Sequence, residues 1–369
     1  MKFTIRTFIG LIILSLCCLS NTQDRRAGNL FVVIVDDKRG YIDQKGRIVI
    51  KPQFEGASNF SEGLAVIATS KNDYKEGYID ETGRIVIRPK FDRATDFSEG
   101  LAAVGFGEFR LHGGGNHRWG FIDKSGRLVI NPRFYDEPGG FSDGMCVVGN
   151  RQGKNGYIDK KGRLVIPYKY IWAGHFFEGL ACVNVGDHLG FIDKTGSMVI
   201  EPKFTSPGGF NEGLSLTRIG GKTIDPQPGA MIIGPLGGRL VYIDKSGKTI
   251  IELDEEIEHA RPFSEGLAPV GVVKSDKRLY WGYIDKTGKF AIEPQFGDAG
   301  LFSEGVARIL LNGKSGVIDK TGKILFQTDF FLMHHFQGGL MQVYDSVDLP
   351  SAKMGYIDRA GNLIWQPSR

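Results

Sequence analysis

Carboxylate residues recur along the chain at fixed places inside two short motifs. The first motif is Phe-x-Glu-Gly, and it supplies Glu62, Glu99, Glu178, Glu212, Glu265 and Glu304. The second is Gly-Tyr/Phe-Ile-Asp, whose aspartates run from Asp43 to Asp358. General acid–base catalysis needs two carboxyl groups with different pKa values in one pocket. Here the same carboxylate returns in each copy, as a turn residue does. The pattern therefore favours a structural role and predicts a protein that is not an enzyme.

Lysine follows the motif aspartate in six copies, at Lys124, Lys160, Lys194, Lys245, Lys286 and Lys320. If the copies stack regularly, these lysines form a basic ridge. Lys124 and Lys194 represent that ridge as candidate binding residues for an anionic glycan, a lipid headgroup or a protein partner. The alternative is that all six are ordinary solvated turn lysines. The net charge of the whole chain is only +4, which argues against a nucleic-acid partner.

No metal or cofactor site is expected from the sequence. The seven histidines lack zinc-ligand spacing, and the Asp-x-x-Gly segments lack the dense acidic spacing of calcium loops. No Gly-x-Ser-x-Gly motif, phosphate loop or dinucleotide fingerprint is present. Binding sites often lie on loops held by a scaffold, and two insertions interrupt the repeat at about 105–118 and 217–240. These insertions supply the candidate binding residues Phe109, His112, His117 and Asp225.

The elements that would hold these residues are short β-hairpins. Gly-Tyr/Phe-Ile-Asp or a close variant occurs nine times, and Asp-x-x-Gly leads directly into an apolar run. Asp suits the first position of a type I turn because its carboxylate accepts a backbone N–H two residues later, and glycine supplies a positive φ at the fourth. Pro-x-Phe follows in most copies, and proline is expected to end the strand pairing because it lacks a donor. Each copy holds three short strands, and we predict one array of nine units over residues 28–367.

The predicted strands are apolar on both faces, as Tyr41-Ile42 and Ile48-Val49-Ile50 illustrate. Such sheets need cover on both faces, which favours small sheets stacked on their neighbours. The fold class is therefore all-β, a tandem array of three-stranded units. Because nine units exceed the usual four to eight propeller blades, an open, curved superhelix or solenoid is favoured over a closed propeller-like ring. Only residues 251–260 have the composition of a short helix.

The N-terminus has the pattern of an export signal. Basic Lys2 and Arg6 precede an apolar segment at 8–16 that is too short to span a membrane as a helix. We predict a signal peptide over 1–20 and a short linker over 21–27. Cys17 is the candidate lipidation site of a lipoprotein signal, and simple secretion or an uncleaved anchor are the alternatives. Cys146 and Cys182 are expected to be small buried residues without a disulfide.

The three motifs together resemble the WG-containing repeat, also called the KWG repeat. Its name-giving dipeptide stands at Trp119-Gly120 and Trp281-Gly282, and the resemblance covers about residues 28–367. It implies a β-repeat scaffold of a bacterial family that is often exported, with no catalytic residues to transfer. We therefore expect a non-catalytic scaffold that binds a protein or glycan partner at the bacterial envelope. It would be an outer-membrane lipoprotein, periplasmic or secreted, and would touch the membrane only through its lipid anchor. A passive spacer lipoprotein and a glycan-acting enzyme are the alternatives.

Overall fold

The computed structural model describes residues 30–70, 74–107, 117–221, 237–332, 334–346, 348 and 351–368. Every regular element in these ranges is a β-strand, so they include no helix long and apolar enough to cross a membrane. The predicted signal segment, its Cys17 and the linker precede Leu30 and lie outside the described residues. Phe109, His112 and Asp225 lie outside them as well.

The described strands group into nine successive units of antiparallel strands. The first three units contain β1 (Leu30–Val35), β2 (Lys38–Asp43), β3 (Ile48–Phe54); β4 (Gly56–Ala57), β5 (Leu64–Ala68), β6 (Glu76–Asp80), β7 (Ile85–Phe91); β8 (Arg93–Ala94), β9 (Leu101–Phe106), β10 (Arg118–Asp123) and β11 (Leu128–Phe134). The next three contain β12 (Met145–Gly149), β13 (Asn155–Asp159), β14 (Leu164–Tyr170); β15 (Ala181–Val185), β16 (His188–Ile192), β17 (Met198–Ser206); β18 (Phe210–Asn211), β19 (Leu214–Ile219), β20 (Arg239–Ile243) and β21 (Thr249–Glu252). The last three contain β22 (Ile257–Ala260), β23 (Leu267–Val273), β24 (Leu279–Asp285), β25 (Phe290–Phe296); β26 (Asp298–Ala299), β27 (Val306–Leu311), β28 (Lys314–Asp319), β29 (Ile324–Thr328); β30 (Phe331–Leu332), β31 (Leu340–Tyr344), β32 (Met354–Asp358) and β33 (Leu363–Ser368). Each unit forms its own three- or four-stranded sheet, except that β17 also pairs with β19 and joins the fifth and sixth units.

The Asp-x-x-Gly turns form as the sequence predicts. Asp43 Oδ1 accepts hydrogen bonds from the N–H groups of Lys45 and Arg47 at 2.9 and 3.0 Å. The Gly46 N–H donates to the carbonyl oxygen of Asp43 at 3.0 Å. The equivalent glycine has a positive φ, between 76° and 85°, in all nine units. The hairpin is therefore fixed by local chemistry within four residues.

The Pro-x-Phe segment forms a bulge inside the third strand. In the first unit, Ile50 lies opposite Tyr41 and pairing resumes at Phe54 after a register shift. The expectation that proline ends the pairing is therefore wrong, because the strand continues past Pro52. The bulge brings the backbone so close to Gly40 that a Cβ there would lie 2.6 Å from the Ile50 carbonyl oxygen. This close approach is why the Gly-Tyr-Ile-Asp motif begins with glycine.

The region expected to form a short helix, residues 251–260, instead contains β21, a connection and β22. Ile251 and Leu253 are both buried, two residues apart, and Ile257 is buried in the next strand. A spacing of two places side chains on one face of an extended chain. The helix prediction is therefore wrong: Ile251 and Leu253 flank charged Glu252 with a strand period, and the acidic run Asp254-Glu255-Glu256 belongs to the connection before β22.

Hydrophobic cores lie between consecutive sheets. Tyr41 and Ile50 of the first unit pack against Ile67 and Ile79 of the second, and the same arrangement repeats along the chain. The Tyr41 hydroxyl donates to the carbonyl oxygen of Ser58 in the second unit at 2.8 Å. Each sheet therefore depends on its neighbour for both apolar burial and hydrogen bonding, as stacked repeats do.

The ninth unit packs against the first in the same way. Tyr356 OH donates to the carbonyl oxygen of Val32 at 2.9 Å, and the Phe31 and Tyr356 rings lie 5.5 Å apart. Val33 and Ile42 of the first unit share a core with ninth-unit residues. The array is thus a closed, propeller-like ring rather than the open superhelix that the sequence analysis favours. No pattern within a single unit reveals this closure, because it depends on the angle between successive sheets.

The two ends of the strands lie on opposite sides of the ring. In the second unit, Leu64 pairs with Asp80 and Ile79 pairs with Ile85. The Phe-x-Glu-Gly and Asp-x-x-Gly turns therefore share one side, which we call the turn side. The opposite strand ends, where Phe106 pairs with Arg118 and Ile219 pairs with Arg239, lie on the other side, which we call the insertion side.

Candidate functional site

The Phe-x-Glu-Gly segments form a continuous belt on the turn side. Ser61 Oγ donates to the carbonyl oxygen of Phe97 in the next unit at 2.7 Å. Glu62 Oε2 accepts a hydrogen bond from the N–H of Gly100 in that unit at 3.0 Å. Equivalent contacts join most of the following units. The repeated glutamates therefore connect neighbouring units, as a structural residue does.

The repeated lysines pair with the same glutamates. Lys124 Nζ lies 3.2 Å from Glu62 Oε2 and donates to the Glu62 carbonyl oxygen at 2.8 Å. The equivalent ion pairs are Lys160–Glu99, Lys245–Glu178, Lys286–Glu212 and Lys320–Glu265, and Arg359–Glu304 follows the same geometry. The prediction of a positively charged ridge is therefore wrong, because five of its six lysines form ion pairs with carboxylates of the preceding unit.

Lys194 is the exception among the six. The preceding unit offers Asp143, whose shorter side chain accepts the Gly179 N–H at 2.6 Å, and within the described chain Lys194 forms no ion pair. Lys124 and Lys194 both lie on the turn side, two units apart. His117 is half-buried on the insertion side, where its carbonyl oxygen accepts a hydrogen bond from Arg118. The structure does not bring these candidate binding residues together.

The two cysteines of the described chain are buried and free. Burial raises the pKa of Cys182 to about 12 and raises the pKa of Cys146 further. Both thiols are therefore protonated and unreactive at neutral pH. No group of three or more His, Cys, Asp or Glu side chains in the described ranges is arranged to hold a metal ion.

A polar cleft of about 820 Å³ opens on the sixth unit, at the base of the 217–240 insertion. Its walls include Arg218, Arg239, Glu252, Glu255 and His259. The cleft forms where the repeat is broken. Leu253-Asp254-Glu255 stands in place of Pro-x-Phe, and β21 pairs with β20 without the proline bulge.

The break in the repeat replaces a buried aromatic side chain with a charged one. Phe54, Phe204 and the other aromatic residues at this position are buried in the core, as expected. In the sixth unit the position belongs to Glu255, whose side chain is 90% exposed. Without the bulge, Leu253 pairs with Leu240 and is buried in the core, whereas Glu255 lies among the residues that line the cleft.

Charged groups of both signs line the cleft. Arg239 pairs with Glu252, and its Nη2 lies 3.8 Å from Glu255 Oε1; the hydrogen bond to Glu252 raises the pKa of Arg239. Arg218 donates to the carbonyl oxygen of Gly238 at 2.8 Å, and partial burial lowers its pKa. The cleft thus offers guanidinium donors beside carboxylate acceptors, an arrangement suited to hydrogen-bonding a polar ligand.

An aromatic wall supports one edge of the cleft. The His259 ring stacks on Trp281 with centroids 6.1 Å apart, and the Arg261 guanidinium lies 4.4 Å from the centre of the same indole. Burial lowers the pKa of His259, so its imidazole is neutral at pH 7 and both donates and accepts.

Sequence reasoning located the insertion but missed the cleft residues themselves. The usable signal was the absence of Pro-x-Phe after Thr249-Ile250-Ile251, together with Val241 in the place of the motif glycine. A glycine is needed only where the proline bulge approaches it. Its replacement by valine is therefore possible only in a unit that lacks the bulge, as the sixth does.

Comparison with known proteins gives one family and several solved structures. The model of the WG containing repeat matches residues 40–70, 77–108, 119–152, 156–187, 190–222, 242–272 and 281–314. No curated protein matches the chain. Among solved structures, BamB from Moraxella catarrhalis is 12% identical, with 80% of this chain and 95% of that chain covered and a TM-score of 0.38. Apo AztD from Citrobacter koseri is 14% identical, with 81% and 93% covered and a TM-score of 0.37. The β-propeller domain of the Trilobed protease from Pyrococcus furiosus is 10% identical, with 83% and 95% covered and a TM-score of 0.40. Because the repeat model matches well over half of its residues, the chain belongs to the WG-containing repeat family.

Proposed function

We propose that the protein is an exported, non-catalytic scaffold of the bacterial envelope that holds a protein or glycan partner in the cleft of the sixth unit. The observation that carries the proposal is the loss of the proline bulge in the sixth unit, where Glu255 stands at the aromatic position of the repeat and charged side chains line a polar cleft. A passive spacer does not require an irregular unit, whereas a binding protein needs a surface that differs from its other repeats.

The charges of the cleft support a polar partner. Arg218 contacts only carbonyl oxygens within the described chain, so its guanidinium keeps donors for a carboxylate or hydroxyl group of a ligand. Glu258 and Asp254 line the same space and accept hydrogen bonds from hydroxyl or ammonium groups. Export rests on the basic and apolar segments before residue 17.

The test compares retention of envelope components by three forms of the full chain. Wild type is exposed to a glycan array and to envelope extract, beside Arg218→Ala and a matched control, Arg84→Ala. Arg84 is an exposed arginine of the turn side. We expect a glycan or protein that wild type and Arg84→Ala retain equally and that Arg218→Ala retains at least about tenfold less, as loss of a charged hydrogen-bond donor predicts. Equal retention by Arg218→Ala would exclude the cleft, and cleavage of a retained glycan would exclude a non-catalytic role.

A further inference from the structure

The turn side carries a band of exposed aliphatic side chains. The band consists of exposed apolar residues at the first two positions of the strand that follows the Asp-x-x-Gly turn, which we call the third strand of the unit. Examples are Ile48 and Val49, Leu128 and Val129, and Leu164 and Val165, with equivalents in the second and in the fifth to eighth units. Of the sixteen large hydrophobic side chains exposed in the described ranges, twelve occupy this one position. Scattered apolar residues need no explanation, but a set repeated at one position of successive units indicates an interaction surface.

The position of the band follows from the strand pairing. Each third strand starts just after the Asp-x-x-Gly turn, and each except β17 forms the edge of its sheet. Ile48 and Val49 are 49% and 48% exposed, whereas Ile50 turns into the core. Because the units close into a ring with the same register, the band follows the turn side around the ring.

Many of the charges around the band form ion pairs. Arg47, Arg127 and Arg163 precede band residues, and each pairs with the aspartate of its own turn. Five of the six turn lysines pair with the belt glutamates, as described above, and Lys194 does not. The turn side therefore offers aliphatic groups among many paired charges, and nearly all of its exposed apolar side chains are aliphatic. Protein interfaces usually centre on Trp, Tyr or Arg anchors, whereas a lipid surface accepts any aliphatic group.

The chain enters the ring from the same side. Leu30, the first described residue, pairs with Asp43 at the turn end of the first unit. Twelve residues separate Leu30 from the candidate lipidation site Cys17, a span of roughly 40 Å when fully extended. A bilayer that holds the N-terminus is therefore within reach of the band.

We propose that the aliphatic band docks the turn side of the ring onto the lipid surface, so that the cleft on the insertion side faces away from the membrane. This inference rests on the export in the proposed function and on the lipidation of Cys17 that the sequence analysis expects, and it adds a second membrane contact beyond that anchor. Each aliphatic group contributes little, but many contacts tied to one anchor act together at high effective concentration.

The test is hydrogen–deuterium exchange of the full chain in vesicles of phosphatidylethanolamine and phosphatidylglycerol, compared with detergent solution. We expect at least threefold slower exchange at the starts of the third strands and unchanged exchange on the insertion side. Replacing Leu128, Val129, Leu164 and Val165 by serine should abolish this slowing. The matched control replaces Tyr74 and Val185, which are equally exposed but lie at insertion-side ends, and should keep it.

Three results would overturn the proposal. Slower exchange on the insertion side would show that this side, and not the turn side, contacts the membrane. Unchanged exchange on both sides would leave the anchor as the sole membrane contact. Slowed exchange of the band without vesicles, together with a doubled mass in light scattering, would assign the band to a second copy of the chain. Failure of the proposed function gives different results. An unprocessed Met1 in mass spectrometry would exclude export, and equal retention by Arg218→Ala would exclude the cleft. Neither measurement reports on the band.

Discussion

At the scale of single residues, the belt carboxylates sit in a backbone conformation that L-residues disfavour. Glu62, Glu212 and their equivalents have φ between 51° and 55°, at a cost of about 1–2 kcal/mol per residue. Each is followed by a glycine with positive φ, so that the two form the tight turn of a two-residue hairpin. Asparagine or aspartate is the usual residue for such a turn. The longer side chain of glutamate reaches both a backbone N–H and a turn lysine of the next unit, whereas Asp143 reaches only the N–H of Gly179.

This balance predicts different effects for two substitutions of Glu212. Glu212→Ala keeps the strained φ and loses the acceptor for the Gly266 N–H and for Lys286, so we expect about 1–2 kcal/mol lower stability. Glu212→Gly loses the same contacts but relieves the strain, so it should be about 1 kcal/mol more stable than the alanine variant. Urea denaturation measures both, with exposed Glu81→Ala as the control. An alanine variant as stable as wild type would show that the belt contact contributes nothing.

At the scale of elements, the motif glycine and the proline bulge depend on each other, because the backbone of the bulge leaves no room for a Cβ on the glycine. The first, second, third, fourth, fifth and seventh units have both residues, and in each a Cβ on the glycine would lie within 2.4–2.7 Å of a backbone carbonyl oxygen. The sixth unit has neither, and Val241 pairs regularly with Glu252. The eighth unit keeps Gly316 but lacks the proline, and its ladder is regular there.

The eighth unit supplies the control for a test of this pairing. Gly282→Ala would place a methyl group 2.6 Å from the Ile292 carbonyl oxygen, where the backbone must move, so we expect a loss of about 3 kcal/mol or failure to fold. Gly316→Ala meets its nearest atoms at 3.0–3.1 Å, one of them a flexible side-chain carbon of Ile309, and should cost about 1 kcal/mol. Thermal and urea unfolding of the two variants gives the comparison. Equal losses would mean that the bulge does not impose the glycine.

The sequence predicted the elements because their causes are local. The Asp-x-x-Gly turn needs four residues, and its hydrogen bonds close within them. The partner of Lys124 could not be found in this way, because Glu62 lies 62 positions earlier and becomes a neighbour only after the units stack. The cleft was missed for a related reason, since Arg239, Glu252 and Glu255 meet only where an aromatic residue is absent from the stack.

At the scale of the whole molecule, one junction of the ring differs from the others. We call the contact between the ninth and first units the seam. Gly338 takes the place of the belt glutamate, and Gln44 takes the place of the turn lysine. Gln44 Nε2 donates to the Gly338 carbonyl oxygen at 2.7 Å, so a neutral hydrogen bond replaces the ion pair. No strand in the described ranges crosses the seam, and no peptide bond links its two units. The ring should therefore open first at the seam.

The Tyr356 hydroxyl tests this expectation, because its partner Val32 lies across the seam. Tyr356→Phe leaves the buried carbonyl of Val32 without its donor and should cost about 1–1.5 kcal/mol. Amide exchange in β1, β2, β32 and β33 should then accelerate about tenfold, since 1.4 kcal/mol corresponds to a factor of ten in local opening. Tyr157→Phe is the matched control, because Tyr157 donates to Gly174 in the following unit but the chain itself crosses that junction. We expect the control to lower the global stability by a similar amount without a local increase in exchange. Acceleration spread evenly over all nine units by both variants would show that the seam is as strong as the other junctions, and that the ring unfolds as one cooperative body rather than from its single non-covalent joint.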